Sequence, residues 1–184
     1  MRVIKNQKAF TVLELMVVIG IMVMMLLLTI PNFQNFDKNQ ILETEADKLF
    51  SVLRQAQVWA LTGQTVSGTR YNFGVHFNST CVANACNYVF FKDLKDPINP
   101  GDKRYDQGEE YGIGINSFGR GVYASAINPN SDGLDIVFEA PSGAIYFNGV
   151  VADESSATIT LTSSISGKTK TITVNGGSGQ INIQ

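Results

Sequence analysis

The sequence predicts an α+β fold, in which a long N-terminal helix packs on an antiparallel β-rich globular domain of two sheets. Three observations support this prediction. Between Phe10 and Ile30 the chain carries a single charged residue. After Pro31 the apolar residues recur every three or four positions, which is the period of a helix with one buried face. From Thr65 onward, short β-rich runs alternate with Gly, Asn, Ser and Pro, as they do in antiparallel sheets.

The first half of the helix is expected to span a membrane. A helix of 21 residues extends for about 31 Å, which matches the hydrocarbon core of a bilayer. A cleaved secretory signal is one alternative, but its apolar region is shorter and ends in small residues, whereas this run continues into Pro31 and Asn32. A plain membrane anchor is the other alternative. It explains the length of the run but not its one acid, Glu14.

Charge is distributed unevenly along the chain. Residues 1–9 contain Arg2, Lys5 and Lys8 and no acid, which is typical of the cytoplasmic flank of a membrane segment. The whole chain has a formal net charge of −2, and this flank contributes +3, so the remainder carries −5. A surface of that sign is a poor general binder of nucleic acid, because phosphate attraction needs basic residues.

Glu14 is the most informative residue of the apolar run. An acid inside an apolar span costs on the order of 2–3 kcal/mol, and such residues usually have a functional partner. No cation lies within the run, so the partner would come from another molecule or from a new chain end. A cut between Ala9 and Phe10 would create an α-amine four residues before Glu14, and the two charges could pair within or between subunits.

The segment Lys8-Ala9-Phe10-Thr11-Val12-Leu13-Glu14-Leu15 resembles the type IV prepilin motif. The resemblance implies that a prepilin peptidase removes residues 1–9 by cutting after Ala9, and that Phe10 becomes the N-methylated first residue. It also implies that Phe10 and Glu14 dock subunits during assembly, and that the helix kinks at Pro31. The family usually has Gly before the cut, where this chain has Ala9.

A second, amphipathic helical segment is predicted for residues 32–63, with the helix itself over Phe36 to Thr62. Gly63 supplies a C-terminal stop signal. The charged residues of this stretch fall mostly between the apolar positions; they are Glu43, Glu45, Asp47, Lys48 and Arg54. The apolar positions are expected to pack on the globular domain as ordinary core residues; they are Leu42, Ala46, Leu49, Phe50, Leu53, Ala56 and Ala60.

The globular domain is predicted to cover residues 64–184. The alternation of Thr with apolar residues on either side of Ser166-Gly167 predicts a hairpin with one solvated face. Eight strands are expected in all: Tyr71–Phe77, Tyr88–Phe91, Tyr111–Ile115, Leu134–Phe138, Ala144–Phe147, Ala157–Thr162, Thr169–Val174 and Gln180–Ile183.

The C-terminal third is similar to the group of minor pilins and pseudopilins that includes the H component of type II secretion. The similarity lies in Ile136-Val137-Phe138-Glu139, in Ser142-Gly143, and in Lys170-Thr171-Ile172-Thr173-Val174-Asn175 before a Gly-rich end. Some helix residues, such as Arg54, also fit this group. A major pilin is the competing subgroup. The stretch from Cys81 to Asn130 resembles nothing that we can name.

Three further features are candidate sites. Cys81 and Cys86 are close in sequence, which in an exported protein favours a small disulfide loop over a metal site, since a metal needs about four ligands. His76, the only histidine, is expected to be an ordinary sheet residue. The acidic stretch from Asp93 to Glu110 could offer oxygen ligands to calcium, but its interleaved lysines and arginine favour a solvated loop.

These observations predict a structural subunit of a type IV pilus or type II secretion pseudopilus, of the minor class, with no enzymatic activity, metal or cofactor. Its expected partners are other pilin or pseudopilin subunits, prepilin peptidase and an inner-membrane assembly platform. Before assembly it is expected in the inner membrane as a single-pass protein, with its N-terminus in the cytoplasm. Two alternatives stay open: a membrane-tethered periplasmic binding module, and a competence-type DNA-binding minor pilin. The latter is disfavoured because no cation follows Lys170.

Overall fold

The structure is a computed structural model that describes residues 10–78, 87–94, 101–119, 121–129 and 133–184. Within the helix, the side chains of residues 28–39 are outside the description. The chain divides into two compact units, Met1–Asp37 and Lys38–Gln184, and the second contains all of the described sheets.

The structure describes one helix, α1, which covers Val12–Leu61. Its described side chains fall in two stretches, 12–27 and 40–61, one in each unit. The helix ends in a Schellman motif, in which the Gln64 amide donates to the Trp59 carbonyl at 2.9 Å and the Gly63 amide to the Ala60 carbonyl at 3.0 Å. Gly63 takes the left-handed conformation that this motif requires, with φ of 63°, so the predicted stop signal is confirmed.

The second unit is built from twelve described strands in three antiparallel sheets. A two-stranded ribbon, β1–β2, follows the helix, and a four-stranded sheet has the order β12-β11-β10-β6. A six-stranded sheet has the order β5-β4-β3-β7-β8-β9. The strands are β1 Thr65–Val66, β2 Thr69–Arg70, β3 Asn72–Asn78, β4 Asn87–Asp93, β5 Glu110–Ser117, β6 Val122–Asn128, β7 Gly133–Phe138, β8 Ile145–Phe147, β9 Val150–Val151, β10 Ser156–Ser163, β11 Thr169–Asn175 and β12 Ile181–Ile183.

One hydrophobic core joins helix residues 40–61 to both large sheets. The predicted apolar face of the helix lies in it: all seven predicted positions are buried except Phe50, which is half-buried and packs against the same core. Trp59 makes edge-to-face contacts with Phe73 and Phe90, at ring-centroid distances of 5.4 and 5.2 Å. Contacts of this kind add about 0.5–1.5 kcal/mol to the burial of the rings, so the end of the helix is held firmly against the six-stranded sheet.

The eight predicted strands are present with small shifts at their ends, and the hairpin around Ser166-Gly167 is formed by β10 and β11. β6 was not predicted, because its sequence Val-Tyr-Ala-Ser-Ala-Ile-Asn is poor in the β-branched residues that mark strands. The two-residue strands β1, β2 and β9 are too short to produce a periodic signal.

The predicted fold class, however, is wrong as a whole. The described strands form three sheets rather than two. The described helical side chains belong to two separate units rather than to one long helix packed on a domain. The reason is that every side chain from 12 to 27 is exposed, so this stretch has no buried face of its own. Within the described residues, no helix is both long enough and apolar enough to cross a membrane.

Candidate functional site

The start of α1 lies next to the predicted cleavage position. Thr11 caps the helix: its Oγ1 accepts a hydrogen bond from the Glu14 amide at 3.2 Å, and its carbonyl accepts one from the Leu15 amide, also at 3.2 Å. The spacing Thr11-x-x-Glu14 is that of a capping box. Phe10 is therefore the residue immediately before the cap, and the helix begins at Val12.

Residues 10–27, which we call the N-terminal apolar segment, expose apolar side chains in every direction. Phe10 is 77% exposed, and even the least exposed of the large apolar residues, Val18, is 41% exposed. Burial of one such side chain is worth about 1.5–3 kcal/mol. Soluble monomers rarely leave a contiguous apolar surface of this kind uncovered, and such surfaces usually mark an interaction site. The segment is thus incomplete by itself.

Glu14 is the only ionisable side chain of this segment and is exposed. Two physical roles are open to its carboxylate. As the third residue of the helix it lies at the positive end of the helix dipole, an interaction worth about 0.3–1 kcal/mol. When the surrounding apolar surface is covered by a partner, the same carboxylate loses its water and needs a counter-charge. The first role is local, whereas the second links the pairing of Glu14 to assembly.

Several of the predicted site residues lie outside the part of the chain that the structure describes. Ala9 is one of them, as are Cys81 and Cys86, so the cleavage position and the disulfide loop stay predictions. Pro31 falls within the range of α1, but its side chain is among those outside the description, so the predicted kink also stays a prediction. Phe10 lies two residues before the first residue of α1, and Glu14 is the third residue of the helix.

The acidic loop between β4 and β5 is not simply solvated, and the sequence-based prediction is wrong for two of its acids. Asp93 is 1% exposed and accepts a hydrogen bond from Asn72 Nδ2 at 2.8 Å. Glu109 is also buried, and its two carboxylate oxygens accept bonds from the amides of Leu94 and Asp106, at 2.7 and 2.9 Å. Burial raises the pKa of both carboxyls above their usual range, although these hydrogen bonds oppose the shift.

Lys103 lies beside the acidic side chains, in the position that a bound cation would otherwise take. Lys103 Nζ is 3.2 Å from Glu139 Oε1 and 4.0 Å from Asp93 Oδ2, and it lies 5.4 Å from the centre of the Tyr146 ring. The ammonium group thus supplies positive charge to the buried Asp93 and to the partly exposed Glu139 from within the chain. Among the described residues, no three His, Cys, Asp or Glu side chains are placed to hold a metal ion.

One polar pair was missed by the sequence analysis. His76 on β3 is directly opposite Asp135 on β7, and His76 Nδ1 lies 2.7 Å from Asp135 Oδ1. The two residues are 59 positions apart, so no local spacing could have indicated the contact. His76 is a sheet residue, as expected, but one with an acidic partner.

Comparison with known proteins adds no relative: no protein-family model, no curated protein and no solved structure matches this chain.

Proposed function

We propose that this protein is a structural subunit, of the minor class, of a type IV pilus or a type II secretion pseudopilus. The observation that carries the proposal is the N-terminal apolar segment, which exposes apolar side chains all round its helix and includes one acid. A surface of this kind is satisfied by bundling with the same segment of neighbouring subunits, because each helix then covers the apolar face of the next.

The position of the helix cap supports processing at the predicted place. Because Thr11 and Glu14 form the cap between them, removal of residues 1–9 would leave the helix intact and place the new amine of Phe10 at its start. In the proposed sequence of events, prepilin peptidase cuts after Ala9, Phe10 is N-methylated, and the subunit joins the filament through its apolar helix. Phe10 and Glu14 then dock against neighbouring subunits.

The proposal includes the expected localisation. Before assembly the chain would be held at the inner membrane with its N-terminus in the cytoplasm and residues 64–184 outside. There it would meet prepilin peptidase and the assembly platform. Protease treatment of intact spheroplasts tests this part: the globular domain should be degraded from outside while cytoplasmic markers survive. A chain that is protected together with those markers would contradict the proposed orientation.

Substitution of Glu14 tests the assembly role. Glu14→Leu removes the one charge of the apolar segment, so a chain that is merely tethered should be held as well as before or better. A filament subunit should instead lose its docking partner, and its recovery in the sheared filament fraction should fall at least tenfold at unchanged cellular level.

The matched control is Glu43→Leu, which removes an exposed acid from the same helix in the second unit. It should leave incorporation into filaments unchanged. If Glu14→Leu assembles like the wild type, the docking role of this carboxylate is wrong, and a membrane-tethered binding module becomes the better proposal.

A further inference from the structure

The outer face of the six-stranded sheet carries a polar cavity of about 380 Å³ that the proposed assembly role does not use. Its volume lies at the lower end of the range of about 300–1,000 Å³ that small-molecule sites occupy. It is formed by β3 and β7, by the loop that follows Gly101, and by the turn between β8 and β9. The side chains that matter are those of His76, Asp102, Arg104, Asp106, Asp135 and Asn148.

The His76–Asp135 pair lines one part of this cavity. The side chains are 19% and 13% exposed, so both groups are largely withdrawn from water while still reaching the cavity. An ionised carboxylate can only accept, so the proton of this bond belongs to His76 Nδ1; in the neutral form of the ring, Nε2 is left as an acceptor. The imidazole stacks on Tyr105 at 4.7 Å between ring centres, which fixes its plane.

Asn148 ties the elements around the cavity together. Its Oδ1 accepts from the Asp135 amide at 2.7 Å, its Nδ2 donates to the Gly133 carbonyl at 3.2 Å, and its own carbonyl accepts from Arg104 Nε at 3.1 Å. Arg104 is thereby anchored through Nε. In the part of the chain that the structure describes, no hydrogen bond involves its two terminal nitrogens, which leaves them available as a pair of donors.

The combination of donors and acceptors selects the ligand class. Three carboxylates and one guanidinium line the cavity, which gives a formal charge of −2 with His76 neutral, so an anionic ligand is disfavoured. Arg104 among the acids works against a simple cation. A ligand with adjacent hydroxyl groups suits the cavity best, since each hydroxyl can accept from Arg104 and donate to a carboxylate or to His76 Nε2.

We propose that this cavity is a binding site for a neutral sugar, of the size of one pyranose ring. The site is assigned to binding. Such a site lies outside the filament-forming part of the chain and would give the subunit a carbohydrate ligand on its globular domain.

The single histidine makes the proposal directly testable, because His76 gives the only histidine ring signal of the whole protein. Full-length chain with isotope-labelled histidine is kept in a zwitterionic detergent, since sugar-headed detergents would compete. At fixed pH it is titrated with methyl glucoside, methyl galactoside, methyl mannoside and N-acetylglucosamine. At least one of these should shift the His76 ring signals in a saturable way.

Two variants on the rim of the cavity, Arg104→Gln and Asp106→Asn, should each weaken that sugar's Kd about tenfold or more, which corresponds to loss of one charge-assisted hydrogen bond. The matched control is Arg70→Gln, an exposed arginine on β2 outside the cavity, and it should bind like the wild type. An unchanged amide spectrum away from the cavity shows that each variant is folded.

Three results would overturn the proposal. The first is no shift with any of the four sugars up to their solubility limits. The second is a sugar-induced shift that survives unchanged in both rim variants, since the sugar would then bind elsewhere. The third is a response only to methylammonium or only to inorganic phosphate, titrated in parallel, which would mark the cavity as a cation or anion site instead.

Discussion

The two described stretches of α1 have similar helical geometry and opposite relations to the rest of the chain. In residues 40–61 the apolar side chains are periodic and lie at 0–7% exposure along the buried face, as Leu49 and Val52 show. In residues 12–27 the apolar side chains occupy all sides, and every one is exposed. A periodic apolar pattern therefore indicates a helix that is buried against its own chain. A helix that is apolar on all sides needs another molecule to bury its side chains.

Truncation of a core leucine in the second stretch should have the largest effect. Leu53 is completely buried in the core that joins the helix to both sheets. Leu53→Ala removes apolar contacts and leaves a cavity, so the free energy of unfolding of the domain should fall by about 2–5 kcal/mol. Urea denaturation followed by the fluorescence of Trp59, the only tryptophan, measures this directly.

The matched control is Leu15→Ala in the N-terminal apolar segment, where the leucine is 56% exposed. The same chemical change there should alter domain unfolding by less than about 0.5 kcal/mol, while reducing recovery in filaments. Equal effects of the two substitutions on domain stability would break the distinction between the two stretches.

Glycine substitutions provide the next largest contrast. Gly63 has φ of 63° in the Schellman motif, so Gly63→Ala places a side chain in the left-handed conformation and should destabilise the domain by about 1–2 kcal/mol. Gly20 is inside the first stretch, where a Cβ at this position would meet no neighbouring group within 4 Å, so Gly20→Ala should leave the melting temperature of the domain unchanged. A shift in melting temperature caused by Gly20→Ala, with none from Gly63→Ala, would contradict the assignment of domain stability to the second stretch of the helix.

The pH dependence of stability should be the smallest of these effects, and it is expected from a buried carboxyl of the second unit. Burial raises the pKa of Asp93 in the folded state above its value in the unfolded chain, which is about 3.9. The folded state therefore binds this proton more tightly. As the pH rises from about 4 through the raised pKa, Asp93 should remove stability rather than add it.

Urea titrations of wild type and Asp93→Asn across this range isolate the effect. The wild type should lose stability relative to the variant as the pH rises, because only the wild type must ionise the buried carboxyl of Asp93, whereas both proteins keep Glu109. The opposite slope would mean that the lysine beside it, Lys103, outweighs burial and lowers the pKa. The exposed acid Glu43, changed to Gln, should give a pH profile parallel to that of the wild type.

The local parts of this architecture followed from local signals. Gly63 marked the end of the helix, and alternating Thr and apolar residues marked the hairpin of β10 and β11, because the physical cause of each lies within a few residues of the pattern. The burial of Glu45 was not predicted by such local signals. Its side chain is 5% exposed beside the apolar face, and its carboxylate lies 2.6 Å from Lys48 Nζ. The helical pattern marked Glu45 only as a charged residue between apolar positions.

Non-local contacts could not be derived in this way. The burial of Asp93 depends on Asn72, 21 residues away, and the pairing of His76 depends on the register of β3 against β7. The fourth strand of its sheet, β6, pairs with β10 across a bulge between Thr160 and Leu161, and the third described sheet is the short ribbon of β1 and β2. The predicted fold class was wrong because of the apolar run between positions 12 and 27. This run indicates that its side chains need to be buried, but it does not indicate which group buries them.

The central claim is that the N-terminal apolar segment is presented for assembly by processing next to the helix cap. Intact-mass and N-terminal peptide mass spectrometry of the chain recovered from its native host tests this most directly. The account predicts a mature chain that begins at Phe10 with a methylated amine, one residue before the capping Thr11. A chain that retains Met1, or one that is cut beyond Ile30 and so lacks the apolar segment, would contradict it.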